Sequence, residues 1–397
     1  MSDNLGVYIH IPFCKSKCDY CDFYSLPGRE ELTGAYVQAL KAHIAETAPS
    51  AQGCRVDTVY FGGGTTLMLG DKALCELLGY VKKLFRVEKD AEITVEVNPD
   101  SVDLKALKRL RRAGFNRLSV GMQSAVDAEL SAVGRPHDFA QTVQAYEWAR
   151  KAKFKNISLD LIYGLPGQTL DSWRQTLEAA LALEPQHISG YGLKVEEGTP
   201  LCRRVEQGEI FPDDDFQADA YLMMVDLLQA HGYEQYEISN FAKPDFASRH
   251  NLKYWMMNPY LGFGPGAHSD FGSRRYAFIR DLEGYMEAVQ SGGRLLSEDE
   301  VIPPGERAAE YLMLRLRTTV GIEEWEYRRE YLMDFDPLLE LLTQYERQGW
   351  ARQEGSRWVF TPEGFLRSNQ LIGQLLDHQV RATLPSTLRY LGQRRDG

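Results

Sequence analysis

The sequence predicts an α/β protein whose larger part is a parallel (β/α) barrel, followed by a smaller α+β domain. Three observations carry this. Short period-2 apolar runs alternate six times with amphipathic helical stretches. Polar and glycine-rich residues gather at the C-terminal ends of those runs. From about Arg307 the alternation gives way to a helix, helix, ribbon pattern.

The strand candidates are Val7 to Ile11, Thr58 to Phe61, Ile93 to Val97, Arg117 to Val120, Ile157 to Ile162 and His187 to Gly192. Helical stretches lie near Glu31 to Thr47, Asp71 to Phe85, Asp103 to Ala113, Phe139 to Lys151 and Ser172 to Leu183. This order requires parallel strands with crossover helices, in an open doubly wound sheet or in a closed or partial barrel. The placement of polar residues decides for the barrel. The cysteine loop follows the first strand, Gly62 to Thr66 the second and Gly164 the fifth, while Glu96 ends the third and Gln123 follows the fourth. A site assembled from five strand ends suits a barrel face better than one switch point of an open sheet.

Past Leu193 the sequence predicts a helix (Phe216 to Ala230) and a motif-rich loop region from Glu237 to His268. Then come an apolar helix (Ala308 to Leu316), an acidic and aromatic segment (Ile322 to Leu332), a helix (Leu338 to Gln348) and a strand pair within Ala351 to Phe360. Thr361-Pro362-Glu363-Gly364 reads as a helix start with Thr as cap and Pro in the first turn. Together these describe a winged-helix-like module. Turn clusters at Ser291-Gly292-Gly293 and Pro303-Pro304-Gly305 set a boundary near residues 285 to 305. The expected organisation is residues 1–240 as the barrel, 241–295 as a segment packed on it, and 296–397 as the C-terminal domain.

A formal charge of -11 over 397 residues argues against a dedicated nucleic-acid binder. The opening Met-Ser-Asp-Asn-Leu-Gly has neither a basic n-region nor an apolar h-region, and no run of 18 apolar residues follows, so the expected location is the cytoplasm. Monomer and homodimer are equally compatible with the sequence.

Of six cysteines, three fall within eight residues: Cys14, Cys18 and Cys21. The spacing puts three thiols on one loop, and clustered thiols in a reducing compartment serve metal or redox centres more often than disulfides. Structural zinc takes four ligands, and no paired fourth Cys or His adjoins the loop; His10, the nearest, is equally explained by packing. Three thiolates suit a [4Fe-4S] cluster with one iron open to an exogenous ligand, with zinc the alternative.

Cys-x3-Cys-x2-Cys with Tyr20 before the last cysteine resembles the motif of the radical S-adenosylmethionine (SAM) superfamily. The resemblance implies a partial (β/α)6 barrel, a [4Fe-4S] cluster on Cys14, Cys18 and Cys21, and SAM chelating the open iron. Gly62-Gly63-Gly64-Thr65 then resembles the family's glycine motif, which implies that Gly63, Gly64 and Thr65 meet the methionyl amino group through backbone donors and carbonyls; glycine permits that approach. Glu96, Gln123 and Asp160 sit in or just beyond apolar strands, where an unpaired polar group is costly. The resemblance implies that they contact SAM ribose and methionyl groups, with Arg135 near the carboxylate and Tyr8 also in contact.

The wider likeness is to the family of oxygen-independent coproporphyrinogen oxidase and its relatives, carried by Tyr8-Ile-His-Ile-Pro-Phe-Cys14 and Leu161-Ile-Tyr-Gly-Leu-Pro-Gly-Gln168. The oxidase branch continues into a further cysteine where this chain has Phe23. Cys21-Asp22-Phe23 and His250-Asn251-Leu252-Lys253-Tyr254-Trp255 instead resemble the haem chaperone branch, which implies haem binding through His250, Asn251, Tyr254 and Trp255, with His268 a second candidate ligand. The implied function is a haem chaperone that passes haem to an acceptor protein of the respiratory apparatus, membrane-associated or not. Coproporphyrinogen oxidase, or another radical SAM enzyme acting on a porphyrin, is the alternative, and SAM cleavage is compatible with each. Arg249, Arg274 and Arg275 are candidate propionate partners. One departure is Gly-Gly-Gly-Thr-Thr-Leu, with Thr66 where the family commonly has proline.

Overall fold

The structure, a computed structural model, describes residues 4–209 and 211–383. Six strands follow one another across the main sheet in chain order, each parallel to the next: β1 (Asn4–Ile11), β2 (Arg55–Gly63), β3 (Arg86–Val97), β4 (Arg117–Gln123), β5 (Asn156–Tyr163) and β6 (His187–Gly192). The helices α1 (Thr33–Thr47), α2 (Asp71–Leu84), α3 (Leu104–Ala113), α4 (Phe139–Lys151) and α5 (Leu170–Ala182) connect them. Both ends of this run are met by other strands. β6 is joined by β7 (Asn240–Ala242), antiparallel, and β1 by β8 (Tyr260–Phe263), parallel, with Gly6 opposite Tyr260 and Ile9 opposite Phe263. The result is a partial (β/α)6 barrel. Beyond β8 the sheet continues antiparallel through β9 (His268–Phe271), β10 (Arg274–Phe278) and β11 (Leu296–Val301).

The strands alternate between two unlike faces. Val7, Ile9, Val59, Phe61, Val95, Leu118, Val120, Leu159 and Leu161 are all at most 1% exposed and form, with Leu74, Leu78, Leu110 and Leu177 of the helices, the apolar core. The other face is polar. Register aligns Tyr8 with Tyr60 and Tyr60 with Thr94, then Glu96 with Ser119, Ser119 with Ser158, and Asp160 with Ser189. The apolar half of the period-2 pattern therefore seats the helices, and its polar half fills the barrel.

The helices begin where their caps dictate. Asp138 and Gln141 form a reciprocal capping box at α4, as Thr169 and Ser172 do at α5, and Asp103 caps α3, which ends on left-handed Gly114. Such a cap contributes about 1 kcal/mol.

The Glu237 to His268 region differs from the loop expected. It holds β7, the helix α6 (Arg249–Trp255) and β8. The helix has a cap that its own sequence does not show: the Glu92 carboxylate, on β3, accepts the N–H groups of Arg249 (3.1 Å) and His250 (3.0 Å).

The chain forms two compact units. Of the described residues, the first comprises those up to Gln235, Ser239–Lys253 and Asn258–Val301; the second comprises Tyr236–Ile238, Tyr254–Met257 and those from Ile302 on. Within the second, helices Pro304–Arg315 and Asp336–Arg347 accompany a three-stranded sheet in which Arg357–Phe360 lies between Ile322–Glu323 and Ala351–Glu354. Tyr311, Leu312, Leu338, Leu342 and Val359 form its core. Thr361 caps the next helix by accepting from Gly364 N–H at 3.2 Å. No helix among the described residues is long and apolar enough to cross a membrane.

Candidate functional site

The cysteine loop leaves β1 and is closed by backbone pairing. Phe13–Cys14 lies parallel to Leu26–Pro27, and Leu26 N–H donates to Pro12 O at 2.8 Å. Its middle is pinned elsewhere: Asp19 N–H donates to Val133 O, and Arg204 Nη1 bridges Asp19 Oδ2 (3.0 Å) and Ala132 O (2.6 Å). Cys14 and Cys18 are buried, Cys21 is half-buried, and all three thiols are free. Burial pushes the Cys21 thiol up; the Phe23 amide pulls it down, and nearby Cys18 and Cys14 push it further up, so the three sulfurs feel one another. Among the described residues no three His, Cys, Asp or Glu side chains converge on a point that a single metal ion would fill. Thiolates that each bind a different iron of one cluster have no need to converge in that way.

Gly62 to Gly64 run beside this loop. Gly64 N–H donates to Ile11 O (2.8 Å) and Thr65 N–H to Phe13 O (2.7 Å), which extends the β1–β2 pairing into the metal loop. Gly63 N–H donates to Glu96 Oε2 at 3.1 Å. These N–H groups are thus engaged within the protein. The glycines are required by space: a Cβ on Gly63, where φ is +119°, would lie 2.6 Å from the His10 ring, and one on Gly64 would lie 2.9 Å from Cys14 Sγ and closer still to Phe13 O. Thr65 Oγ1 reaches Cys14 Sγ at 3.7 Å and accepts from Asn98 Nδ2 at 3.0 Å. Thr66 uses the hydroxyl that proline would lack to donate to Glu96 O.

Glu96 Oε1 accepts from the Tyr60 hydroxyl at 2.7 Å. Burial raises its carboxyl to about 7, with Asp160 adding to the rise and the bonds from Tyr60 and Gly63 opposing it. Asp160 is held by three serines, Oδ1 by Ser158 (3.0 Å) and Ser189 (2.8 Å), Oδ2 by Ser119 (2.8 Å). Gln123 adopts a left-handed φ of 63° at a register shift between β4 and β5. A bulge of this kind re-aims a side chain at a strand end. Arg135, half-buried, donates to Cys18 Sγ (3.5 Å), Gly121 O (3.0 Å) and Asn98 Oδ1 (3.3 Å), while its Nε is buried without a partner among the described residues.

Tyr8 and His10 form a linked pair. His10 Nε2 faces Tyr24 O at 2.8 Å, and a carbonyl only accepts, so Nε2 carries the proton and Nδ1 accepts from the Tyr8 hydroxyl at 2.9 Å. His10 is therefore a neutral hydrogen-bonding residue, with burial lowering its pKa to about 4.

The His250–Trp255 segment is divided between the two units. His250 is 1% exposed inside the barrel, with Nδ1 hydrogen-bonded to Thr58 Oγ1 at 2.8 Å and its ring stacked on Tyr60 (centroids 5.1 Å apart, 25° between planes). Burial lowers its pKa to about 3. Asn251 is half-buried in the same unit, whereas Tyr254 and Trp255 belong to the second. His268 is exposed on β9. The candidate propionate partners have acidic neighbours: Arg249 Nη2 lies 3.8 Å from Asp57, Arg275 Nη2 lies 2.9 Å from Asp270, and Arg274 pairs with Asp299.

The structure thus gathers Tyr8, Gly63, Gly64, Thr65, Glu96, Arg135 and the cysteine loop through shared bonds and close approaches. Sequence reading missed Asn98, which joins Thr65 to Arg135, and Tyr60, which holds Glu96. Asn98 had a signal, two residues beyond Glu96 at the same strand end; Tyr60 had none beyond strand alternation.

This fold with its three-thiol loop defines a radical SAM protein. Residues 8–180 match the radical SAM superfamily and residues 302–367 the HemN C-terminal domain. Relatives named heme chaperone HemW are 34% identical over 94% of this chain and 99% of theirs in Bacillus subtilis, and 36% identical over 94% of both in Mycobacterium tuberculosis. The chain belongs to the heme chaperone HemW family. Its fold is also that of coproporphyrinogen III oxidase (HemN) from Escherichia coli, with a TM-score of 0.83 at 24% identity over 94% of this chain and 90% of that one.

Proposed function

We propose that this protein is a haem chaperone that holds a SAM-liganded [4Fe-4S] cluster and passes haem to an acceptor protein of the respiratory apparatus. The observation that carries this reading is the near-full-length likeness to relatives named heme chaperones. It is supported locally by Phe23, 67% exposed, where the oxidase branch places a further cysteine.

The residues present fit the cluster and SAM. Three thiols provide soft ligands, the glycine turn leaves room beside Cys14, and the unpartnered Nε of Arg135 offers a donor to a carboxylate. A reduced cluster of this type supplies an electron that can cleave bound SAM to a 5′-deoxyadenosyl radical. Cys14, Cys18 and Cys21 would hold the cluster. Glu96 and carbonyls of the Gly63–Thr65 turn would accept from the amino group, and Arg135 would meet the carboxylate. Tyr8, Gln123 and Asp160 complete the proposed set around methionyl and ribose groups.

For haem, access separates the candidates. Asn251, Tyr254 and Trp255 keep partial exposure. Direct ligation by His250 requires its helix to leave the barrel, whereas His268 offers an exposed ring without rearrangement. Anaerobic titration of the cluster-loaded protein with haem tests the reading: one haem per chain is expected, weakened in His268→Ala. Decarboxylated product on incubation with coproporphyrinogen III, SAM and reductant would instead make the protein an oxidase.

A further inference from the structure

The ring of His250 lies beneath two tyrosines whose hydroxyls both point toward the glycine turn. It stacks on Tyr60 at 5.1 Å and on Tyr8 at 6.5 Å, and the two tyrosine rings are 6.1 Å apart. The Tyr60 hydroxyl donates to Glu96 Oε1, and Glu96 Oε2 accepts Gly63 N–H. The Tyr8 hydroxyl donates to His10 Nδ1, and the His10 ring lies so close to Gly63 that a Cβ there would be 2.6 Å from it. Two arms thus leave one imidazole and close on a single residue of the glycine turn.

The imidazole, its backbone and its helix are each held. Thr58, fully buried, holds Nδ1, and Glu92 holds the His250 amide. One turn on, Lys253 is 4% exposed and paired with Asp57 at 2.6 Å, which fastens the helix to β2. A stem of this Lys also lies where a Cβ on Gly6 would be, 2.8 Å from Lys253 Cδ, so β1 is shaped to receive it.

We propose that His250 is a positioning residue for SAM: it braces the Tyr60–Glu96 and Tyr8–His10 pairs against Gly63 and so fixes the acceptors that receive the methionyl amino group. The inference rests on the assignment of Glu96 and the glycine turn to SAM. It gives the histidine of the haem motif a role inside the barrel that is separate from iron ligation.

The test is SAM affinity of the cluster-reconstituted full chain, by anaerobic equilibrium dialysis, together with the change that SAM causes in the EPR spectrum of the reduced cluster. His250→Ala and Tyr60→Phe should each weaken SAM by ~10-fold, the scale of one buried hydrogen bond, and the double variant should lose little more than either. His250→Phe, which keeps a ring beneath the tyrosines, should recover part of the loss. Iron and sulfide content should stay at wild-type level throughout. Tyr60→Phe removes one oxygen and keeps the test valid if His250→Ala does not fold. Glu96→Gln is the reference. If Glu96→Gln binds SAM as the wild type does, the SAM assignment fails and takes the inference with it. If Glu96→Gln weakens SAM while His250→Ala and Tyr60→Phe do not, or if the two losses add in full, the brace is refuted and the SAM site stands.

Discussion

Arg135 Nη1 lies 3.5 Å from Cys18 Sγ while its Nη2 reaches Gly121 O and Asn98 Oδ1, so one guanidinium ties the cysteine loop to the ends of β3 and β4. A lysine has one donor head and cannot span these acceptors. Arg135→Lys should lower the stability of the protein by about 2–3 kcal/mol, from lost bonds to buried acceptors. Chemical denaturation of wild type and variant under anaerobic conditions measures this. A loss below 0.5 kcal/mol, taken as roughly the lower limit for one net hydrogen bond, would show that the three contacts are not formed together.

Gly64 tolerates no side chain, because a Cβ would be driven into Phe13 O and Cys14 Sγ. Gly64→Ala should therefore displace the first cysteine and leave the barrel folded, since the apolar core lies on the other face of the strands. The expected outcome is several-fold lower iron and sulfide content after reconstitution, with far-UV circular dichroism unchanged. Full cluster loading would sink the argument.

SAM affinity should depend on pH through Glu96. Its carboxyl, raised by burial to about 7, is neutral below that value and charged above it. An amino group that ligates iron presents only N–H donors to Glu96, and the carboxylate accepts them better than the protonated acid, so affinity should rise as pH passes upward through 7, and binding near pH 7 should release a proton. Calorimetry in buffers of different ionisation enthalpy detects that proton. In Glu96→Gln the pH dependence over this range should shrink to what the amino group of SAM itself contributes.

The barrel should weaken in acid. Burial lowers His10 and His137 to about 4 and His250 to about 3, against an ordinary value near 6.5. The unfolded chain takes up these protons first, so the stability they confer is complete above pH 6.5 and is lost as pH falls toward 3 to 4. Each group is worth on the order of 3 kcal/mol across that window. Urea unfolding of the metal-free protein at successive pH values should show the decline, and His10→Asn should reduce its slope.

Much of the fold could be read from the chain. The strand runs and helices predicted between residues 7 and 192 all overlap observed ones, most of them within a few residues at each end, although the third strand starts at Arg86 and not Ile93, because period-2 alternation and local caps such as Asp138 and Thr169 are properties of neighbouring residues. What escaped depends on partners far away in sequence. The helix at Arg249–Trp255 is capped by Glu92, and the Tyr260–Phe263 strand exists because β1 offers an edge. Asp160 draws its three hydroxyls from three strands, and the strained φ of Gln123 arises from a register shift. The cysteine motif announced a metal loop, but its spacing said nothing of Asn98 or Tyr60, which order the space beside it.

The strand that carries the cysteine loop has one neighbour at Arg55–Gly63 and the other at Tyr260–Phe263. During synthesis at about 5–20 residues per second, its second edge stays bare for roughly ten seconds or more, until Tyr260 has left the ribosome. His250, Thr58's partner, arrives in the same late stretch. The three thiols are thus made early, whereas the strand that leads into them gains its second neighbour only when about two thirds of the chain has been made.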